Sequence, residues 1–273
     1  MDKKLEEIEF TIFDTETTGL EPSSGDRMVE IAAVRIKSGM IADSFESFIN
    51  PHREVSEGAF AVNRITPQML EGAPDFGEVA HKFLDFIRGS CLCSYNAGFD
   101  LEFLNNELKL AGQELADSIL VLDVLKMAKR LMPGLERYAL WFVASALGIK
   151  QEQKHRAMSD VELTVAVFYK FLELLKLKGI SDFKNFISLF SINPALLKNI
   201  NNERVVQIQE AIDLGVKLKI KYLSSSNAQV TEREVTPKEI KEERGHLYLI
   251  GYCSLRQDER SFRIDGILHL EIL

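Results

Sequence analysis

Over the first fifty residues apolar and polar positions alternate with period two. IEFTIFDTE, MVEIAAVRI and SFESFIN each read as a strand, separated by the turn residues Gly19, Pro22, Ser23, Ser24 and Gly25 and then by Lys37, Ser38 and Gly39. The chain therefore opens on an antiparallel meander. From Pro74 the period becomes helical in FGEVAHKFLDFI, followed by the short apolar run CLCSYN and a second helical stretch, DLEFLNNELKLAG. A further apolar run, SILVLDVL, leads into KMAKRLMP, and LERYALWFVASALG and MSDVELTVAVFYKFLELLKLK continue as helices, the last closing at Gly179. Strand and helix alternate here, so residues 1–178 are predicted to form an α/β domain. Residues 179–202 contain Pro194 and the polar stretch KNINNE, which reads as a helical linker broken by the proline. Residues 203–273 read as one helix, VVQIQEAIDLG, and then the strands KLKIKYL, VTEREVTP, GHLYLIGYC and RSFRIDGILHLEIL, a small and mostly β domain.

With 273 residues, 46% hydrophobic and 27% charged, the chain is long enough for two unequal cores, which excludes a disordered or fibrous protein. No apolar run reaches the ~18 residues of a membrane helix, and MDKKLEEIEF runs straight into a strand pattern in place of a signal-peptide core. The expectation is a soluble, cytoplasmic protein with no membrane partner. Cys91, Cys93 and Cys253 form neither a disulfide framework nor a zinc motif and are read as reduced thiols.

Charge sharpens the picture. Residues 1–180 hold 20 basic and 28 acidic residues against 13 and 13 in 181–273, so the whole excess of the −8 net charge lies in the first part. Phosphate contact relies on Lys and Arg, and such an acidic region is a poor nucleic-acid binder unless some carboxylates are there to hold cations.

Candidates for that role stand at element ends. Asp14 and Glu16 are two apart on the first strand, so the pleat turns both carboxylates to one side. Asp100 opens a helix, where capping is an ordinary alternative, and His155 and Asp160 lie five apart at the entry to the last long helix, which Ser159 or Asp160 could equally cap. Four acids brought together would repel one another unless divalent cations sat among them. Oxygen-only ligands suit Mg²⁺ or Mn²⁺, and a pair of such ions is the standard device for phosphodiester cleavage.

DTETTGL, NAGFD and HRAMSD, in that order and spacing, resemble the three motifs of the DEDDh 3'-5' exonucleases, the family that includes the proofreading epsilon subunit of bacterial DNA polymerase III. NRITPQMLEGAP is similar to a segment of the same bacterial branch, and the resemblance covers roughly residues 8–178. It implies a ribonuclease-H-like mixed sheet flanked by helices, with Asp14, Glu16, Asp100 and Asp160 as ligands of two Mg²⁺ or Mn²⁺ ions and Asp14 bridging them. His155 would take the proton of the attacking water, as an imidazole does near neutral pH. The backbone around Thr17 and Thr18 and the side chain of Leu20 would contact the terminal nucleotide, and Asn96, in the second motif, would lie near the substrate. The sequence departs from close relatives at Tyr95, where His is common, and at Gly98, where a larger residue is frequent; base stacking on Tyr95 would serve DNA or RNA. Phe99 reads as core.

The segments KIKYLSSSNAQVTEREVTP and HLYLIGYCSLRQDERSFRID resemble the WYL domain, an SH3-like small β fold of bacterial regulators, although Leu247 stands where Trp is usual. Arg233, Arg256, Arg260 and Arg263 nearly alternate along strand-like segments and are expected to share one face, where they could hold a phosphate or a nucleic-acid end; the alternative is a solvated face balanced by Asp258, Glu259 and Asp265. FISLF, Phe186 to Phe190, resembles a sliding-clamp-binding pentapeptide without its leading glutamine, and the competing reading is a linker helix packing its phenylalanines inward. The resemblance as a whole implies a DNA 3'-5' exonuclease of proofreading or repair type that releases nucleoside 5'-monophosphates from single-stranded or frayed 3' ends, with a polymerase or clamp as further partner. The alternatives are an RNA 3'-end exonuclease and a ligand-responsive nucleic-acid-binding regulator with an inactive nuclease fold.

Overall fold

The computed structural model describes residues 3–273, which divide into two compact units. The first comprises residues 3–126 and 137–172, and the second residues 127–136 and 173–273.

The meander appears as β1 (Phe10–Thr17), β2 (Met28–Lys37) and β3 (Met40–Phe48), all antiparallel. Two short helices follow, α1 (Glu57–Asn63) and α2 (Pro67–Leu70), which periodicity does not reveal because each is about a turn or two long. Their start signals are nonetheless in the sequence: Ser56 Oγ accepts the Ala59 N–H, and Thr66 Oγ1 accepts the Met69 N–H with Pro67 at the first helical position. Helix α3 (Phe76–Ile87) spans the predicted residues and starts with a capping box between Asp75 and Glu78. Strand β4 (Cys91–Ser94) then pairs parallel with β1, and after α4 (Ala97–Leu110) strand β5 (Val121–Asp123) pairs parallel with β4. The sheet order is β3-β2-β1-β4-β5, so β1 is central and shielded on both edges. Phe10 packs edge-on against Phe168, their ring centroids 5.1 Å apart, and Phe13 lies 6.1 Å from Phe83, so the two faces of β1 are sealed by aromatic rings. Helix α5 (Val124–Leu131) follows β5 without a break, while α6 (Leu140–Ala146) is shorter than predicted because residues 135–139 stay irregular. The long helix α7 (Ala157–Leu177) matches its prediction.

In the second unit α8 (Phe183–Phe190) is capped by Asp182, and α9 (Pro194–Leu214) begins at Pro194 and ends at Gly215, whose φ of 65° is a left-handed cap. Pro194 thus starts a helix where a break was expected, since proline at the first helical position loses no hydrogen bond. The helix runs without interruption through residues 202 and 203, where the linker and the small domain were expected to meet. Phe186 and Phe190 are fully buried, with ring centroids 5.3 Å apart, so FISLF follows the packing reading and offers no exposed clamp peptide.

Five antiparallel strands complete this unit: β6 (Leu218–Leu223), β7 (Val230–Glu243), β8 (His246–Cys253), β9 (Asp258–Arg263) and β10 (Ile267–Ile272), in the order β10-β6-β7-β8-β9. Ile208 and Ala211 of α9 close its core with Leu218, Ile220, Val235, Leu249, Phe262 and Ile267. The sheet tolerates little at Gly251, where an added Cβ would stand 2.5 Å from the Thr236 carbonyl oxygen and 2.8 Å from Val235 Cγ1. Overpacking at such a site costs about 1–3 kcal/mol, so Gly251→Ala is expected to destabilise this unit by that amount in urea titrations followed by circular dichroism.

Candidate active site

At the end of β1, Asp14, Glu16 and Asp160 each present one carboxylate oxygen, and the three oxygens lie within 4.8 Å of one another. The strand pleat aligns Asp14 with Glu16, and the first turn of α7 delivers Asp160. Asp160 and Glu16 are buried, with 3% and 9% of their surface exposed. Asp100, in the first turn of α4, is also buried but contributes no oxygen to that set. Its Oδ1 accepts the Thr15 N–H at 3.0 Å and the Thr15 hydroxyl at 2.7 Å, and its Oδ2 accepts the Ser94 hydroxyl. The side chain therefore ties α4 to β1 and β4 across 85 residues of sequence, beside Asp14, whose ionisation it opposes.

Burial raises all four acids, and repulsion from neighbouring carboxylates adds to it at Asp14 and Glu16. Glu16 is pushed up to about 8, by burial first and then by Asp160 and Glu30, with Asn63 pulling the other way. Asp14 is driven well above the ordinary carboxylate range by burial, then by Asp100, Glu16 and Asp160. Asp100 rises to about 6 through burial against the hydrogen bonds of Ser94 and Thr15, and Asp160 rises through burial against its bond from Gln153. Asp160 Oδ1 is buried with no hydrogen-bond partner. A cluster of oxygen donors whose charge is unmet and one of whose atoms is orphaned fits a hard divalent cation.

His155 stands on the loop before α7 with a left-handed backbone, φ 51°, and its side chain is 46% exposed. Its Nδ1 lies 3.8 Å from Asp160 Oδ2. The next residue anchors the loop: Arg156 donates two bonds to Glu30 of β2, at 2.7 and 3.1 Å, and Glu30 also accepts the Ala157 N–H at 3.0 Å. Glu30 is 1% exposed, and an acid inside the apolar strand MVEIAAVRI is the signal by which the sequence could have revealed this anchor.

Of the residues expected to meet a terminal nucleotide, Leu20 is 79% exposed on the rim of a cleft of about 670 Å³ that also takes in Glu16, Thr17, Ser56, Val62, Asn63 and Phe99. The hydroxyls of Thr17 and Thr18 are engaged in the turn, and Thr17 also lines the cleft. Thr17 Oγ1 donates to the Gly19 carbonyl, Thr18 Oγ1 donates to Asp26, and the Thr18 carbonyl accepts the Ser56 N–H. Gly19 is required there, because a Cβ would collide with the Asp26 carboxylate. Asn96 stands at the N-terminal cap position of α4 in a left-handed conformation, without a side-chain capping bond, and lies outside the cleft lining. Tyr95 donates its hydroxyl to the Tyr138 carbonyl at 2.7 Å and is held by that bond. Phe99, expected in the core, is half-buried, stacks 5.0 Å from Phe103 and lines the cleft. Asn63, which donates to the Thr17 carbonyl, is a cleft residue that the sequence patterns do not single out.

Arg233, Arg256, Arg260 and Arg263 do not share one face as expected. Arg260 pairs with Gly251 and Arg263 with Tyr248; the three-residue offset is odd, so the two side chains leave opposite sides of β9. Arg263 is bound to Asp265 through two donors, at 3.1 and 2.5 Å, whereas Arg256 and Arg260 are exposed. Arg233 is half-buried, and its Nη1 lacks a partner.

Residues 11–168 match the family model described as Exonuclease, and residues 203–272 match that of the WYL domain. The chain is 36% identical over 192 residues to the DNA polymerase III PolC-type of Caldanaerobacter subterraneus subsp. tengcongensis, covering 70% of this chain and 13% of that protein. It is 36% identical over 167 residues to the 3'-5' exonuclease DinG of Bacillus subtilis, covering 61% and 18%. It thus spans less than a fifth of either relative. Among solved structures, Exonuclease X in complex with 5' overhanging duplex DNA aligns with a TM-score of 0.50 and 26% identity, over 62% of this chain and 93% of that one. The match places the first unit in the ribonuclease-H-like fold of that enzyme.

The raised carboxylates link stability to pH. A folded pKa above the unfolded one means that the native state holds more protons between the two values, so stability falls as pH rises through that window. For Glu16 the window runs from 4.5 to about 8. Thermal unfolding in chelator is expected to show the melting temperature dropping from pH 5 to pH 8. Adding Mg²⁺ or replacing Asp14 by Asn should flatten that slope.

Proposed function

The chain belongs to the exonuclease family, and from that premise we propose that it is a metal-dependent 3'-5' exonuclease acting on DNA ends and releasing nucleoside 5'-monophosphates. The observation that carries this reading is the convergence of Asp14, Glu16 and Asp160 within 4.8 Å of one another, with His155 beside them. Two divalent cations, Mg²⁺ or Mn²⁺, would supply Lewis-acid polarisation of the scissile phosphate and a water acidified enough to attack it.

The chain's own residues do the rest. Asp14, Glu16 and Asp160 hold the cations, and Asp100 keeps β1, β4 and α4 in register while adding its negative field to the site. His155, half-exposed beside Asp160, takes the proton of the attacking water. The cleft receives the terminal nucleoside: Leu20, Val62 and Phe99 offer apolar surface to the base, while Asn63 steadies the Thr17 carbonyl beside Glu16. The names of the relatives, a polymerase III and a 3'-5' exonuclease, favour DNA as the polymer.

In the WYL region the exposed Arg256 and Arg260 contact phosphates of the same or a second strand, while Arg263 serves the fold through Asp265. The steepness with which salt weakens binding scales with the number of phosphates neutralised, at about 0.7 of slope for each on a single strand. Replacing Arg256 and Arg260 together by Ala is expected to weaken single-strand binding and flatten its salt slope by about 1.4, measured by fluorescence anisotropy at salt concentrations from about 50 to 200 mM. An unchanged isotherm would remove these arginines from the interface.

Digestion of 3'-labelled and 5'-labelled single-stranded DNA and RNA tests the reaction. Stepwise shortening from the 3' end is expected with Mg²⁺ or Mn²⁺, faster on DNA. Chelator should abolish it, and Asp14→Ala should lower the rate by at least ~10³-fold, the scale on which such charge stabilisation acts. Equal rates in wild type and Asp14→Ala would overturn the assignment.

A further inference from the structure

The two oxygens of Asp160 have unlike surroundings. Oδ2 accepts a bond from Gln153 Nε2 at 2.6 Å, whereas Oδ1 is buried and unpartnered. The same amide nitrogen lies 3.5 Å from His155 Nδ1, so one side chain touches the carboxylate and approaches the histidine. Gln153 precedes HRAMSD by two residues and belongs to none of its positions.

Physical chemistry makes this contact consequential. Glu16 and Asp14 both repel the Asp160 carboxylate. Against that repulsion Gln153 Nε2 holds Oδ2 at 2.6 Å, far closer than His155 Nδ1 at 3.8 Å. An unrestrained carboxylate would rotate about its last torsion and lower the repulsion. A neutral amide donor restrains it without adding positive charge, so the field that attracts a cation stays intact. A lysine or arginine in that place would hold the carboxylate equally well and compete with the ion.

We propose that Gln153 is the positioning residue of the Asp160 carboxylate: it occupies Oδ2, leaves Oδ1 for a divalent cation, and braces the left-handed His155 turn against the same group. The inference rests on the metal-dependent reading above. Partners behind a metal ligand typically control affinity by about 10- to 100-fold.

The test is Mn²⁺ binding by the full chain, read from the electron paramagnetic resonance of the free ion, for wild type, Asp14→Ala, Gln153→Ala and Gln153→Met. Met has the length of Gln without its donor and without added charge, so it serves if Gln153→Ala does not fold. Thermal unfolding in chelator reports folding separately. The expected result is wild-type binding that is lost in Asp14→Ala and weakened about 10-fold or more in both Gln153 variants, with melting temperatures in chelator close to wild type for Gln153→Ala. Wild-type affinity in folded Gln153 variants would overturn the positioning role and leave the metal site standing. Failure of the wild type to bind Mn²⁺ would remove both.

Discussion

The first unit is organised around keeping negative charge buried and uncompensated at one place. Buried and half-buried acids gather around β1 and β2, and they fall into two groups by what holds them. Glu107 takes two bonds from Arg27 and one from the Met28 N–H, and Glu30 takes two from Arg156 and one from the Ala157 N–H. These ion pairs are structural: each ties a helix to β2, and removing one partner of such a pair leaves a buried charge at a cost of about 3–5 kcal/mol. Asp14, Glu16, Asp100 and Asp160 are treated otherwise. Where they are held, the donors are neutral: Thr15 and Ser94 on Asp100, Gln153 on Asp160, Asn63 beside Glu16. Repulsion among them is therefore retained by the fold, which makes the site less stable without cations and strongly attractive to them.

That distinction bears on why some of this arrangement is legible in the sequence and some is not. Strand alternation, the helical period of residues 76–87 and the three acidic motifs are local patterns, and they locate β1, β2, α3, α7 and the acids. The rotamer of Asp100 is decided by Thr15 and Ser94, whose approach depends on β1 and β4 pairing in parallel about 80 residues apart, and no local pattern carries it. Gln153 is a polar loop residue until α7 brings Asp160 beneath it. The short helices α1 and α2 have too few residues to show a period, although Ser56 and Thr66-Pro67 announce them. Pro194 misleads because a proline says only that a helix does not pass through it from the N-terminal side; it starts one as readily as it ends one.

The second unit shows how counting arginines overstates a binding surface. Arg204 is 8% exposed and satisfied by the Ser188 hydroxyl, the Asn185 side chain and the Ile264 carbonyl, all neutral, with its pKa lowered by burial. Arg130 and Arg263 both reach Asp265. These three cations are committed to orienting the turn at residues 264–266, where Gly266 leaves no room for a side chain against Arg130 and Tyr222. The charge balance of residues 181–273 reflects this use in part, and Arg256 and Arg260 stand outside it, exposed, with Arg260 3.6 Å from Asp258.

The excess of acid in residues 1–180 sets the terms on which a polyanion approaches the first unit. Its long-range field is unfavourable, since the net charge there is negative, and steering by surface cations is weak. Holding a nucleic-acid end must then depend on interactions that act at short range. The cleft supplies them, with exposed Leu20 and Val62 and the half-buried Phe99 in the same lining as Glu16. Apolar and aromatic surface is indifferent to base identity and insensitive to salt, and cations held by the acids attract the phosphate only once it is adjacent. On the proposed reading, affinity would be concentrated at a terminus that can enter the cleft and withheld from the length of a duplex, the discrimination such an exonuclease needs, obtained from charge sign and cleft shape.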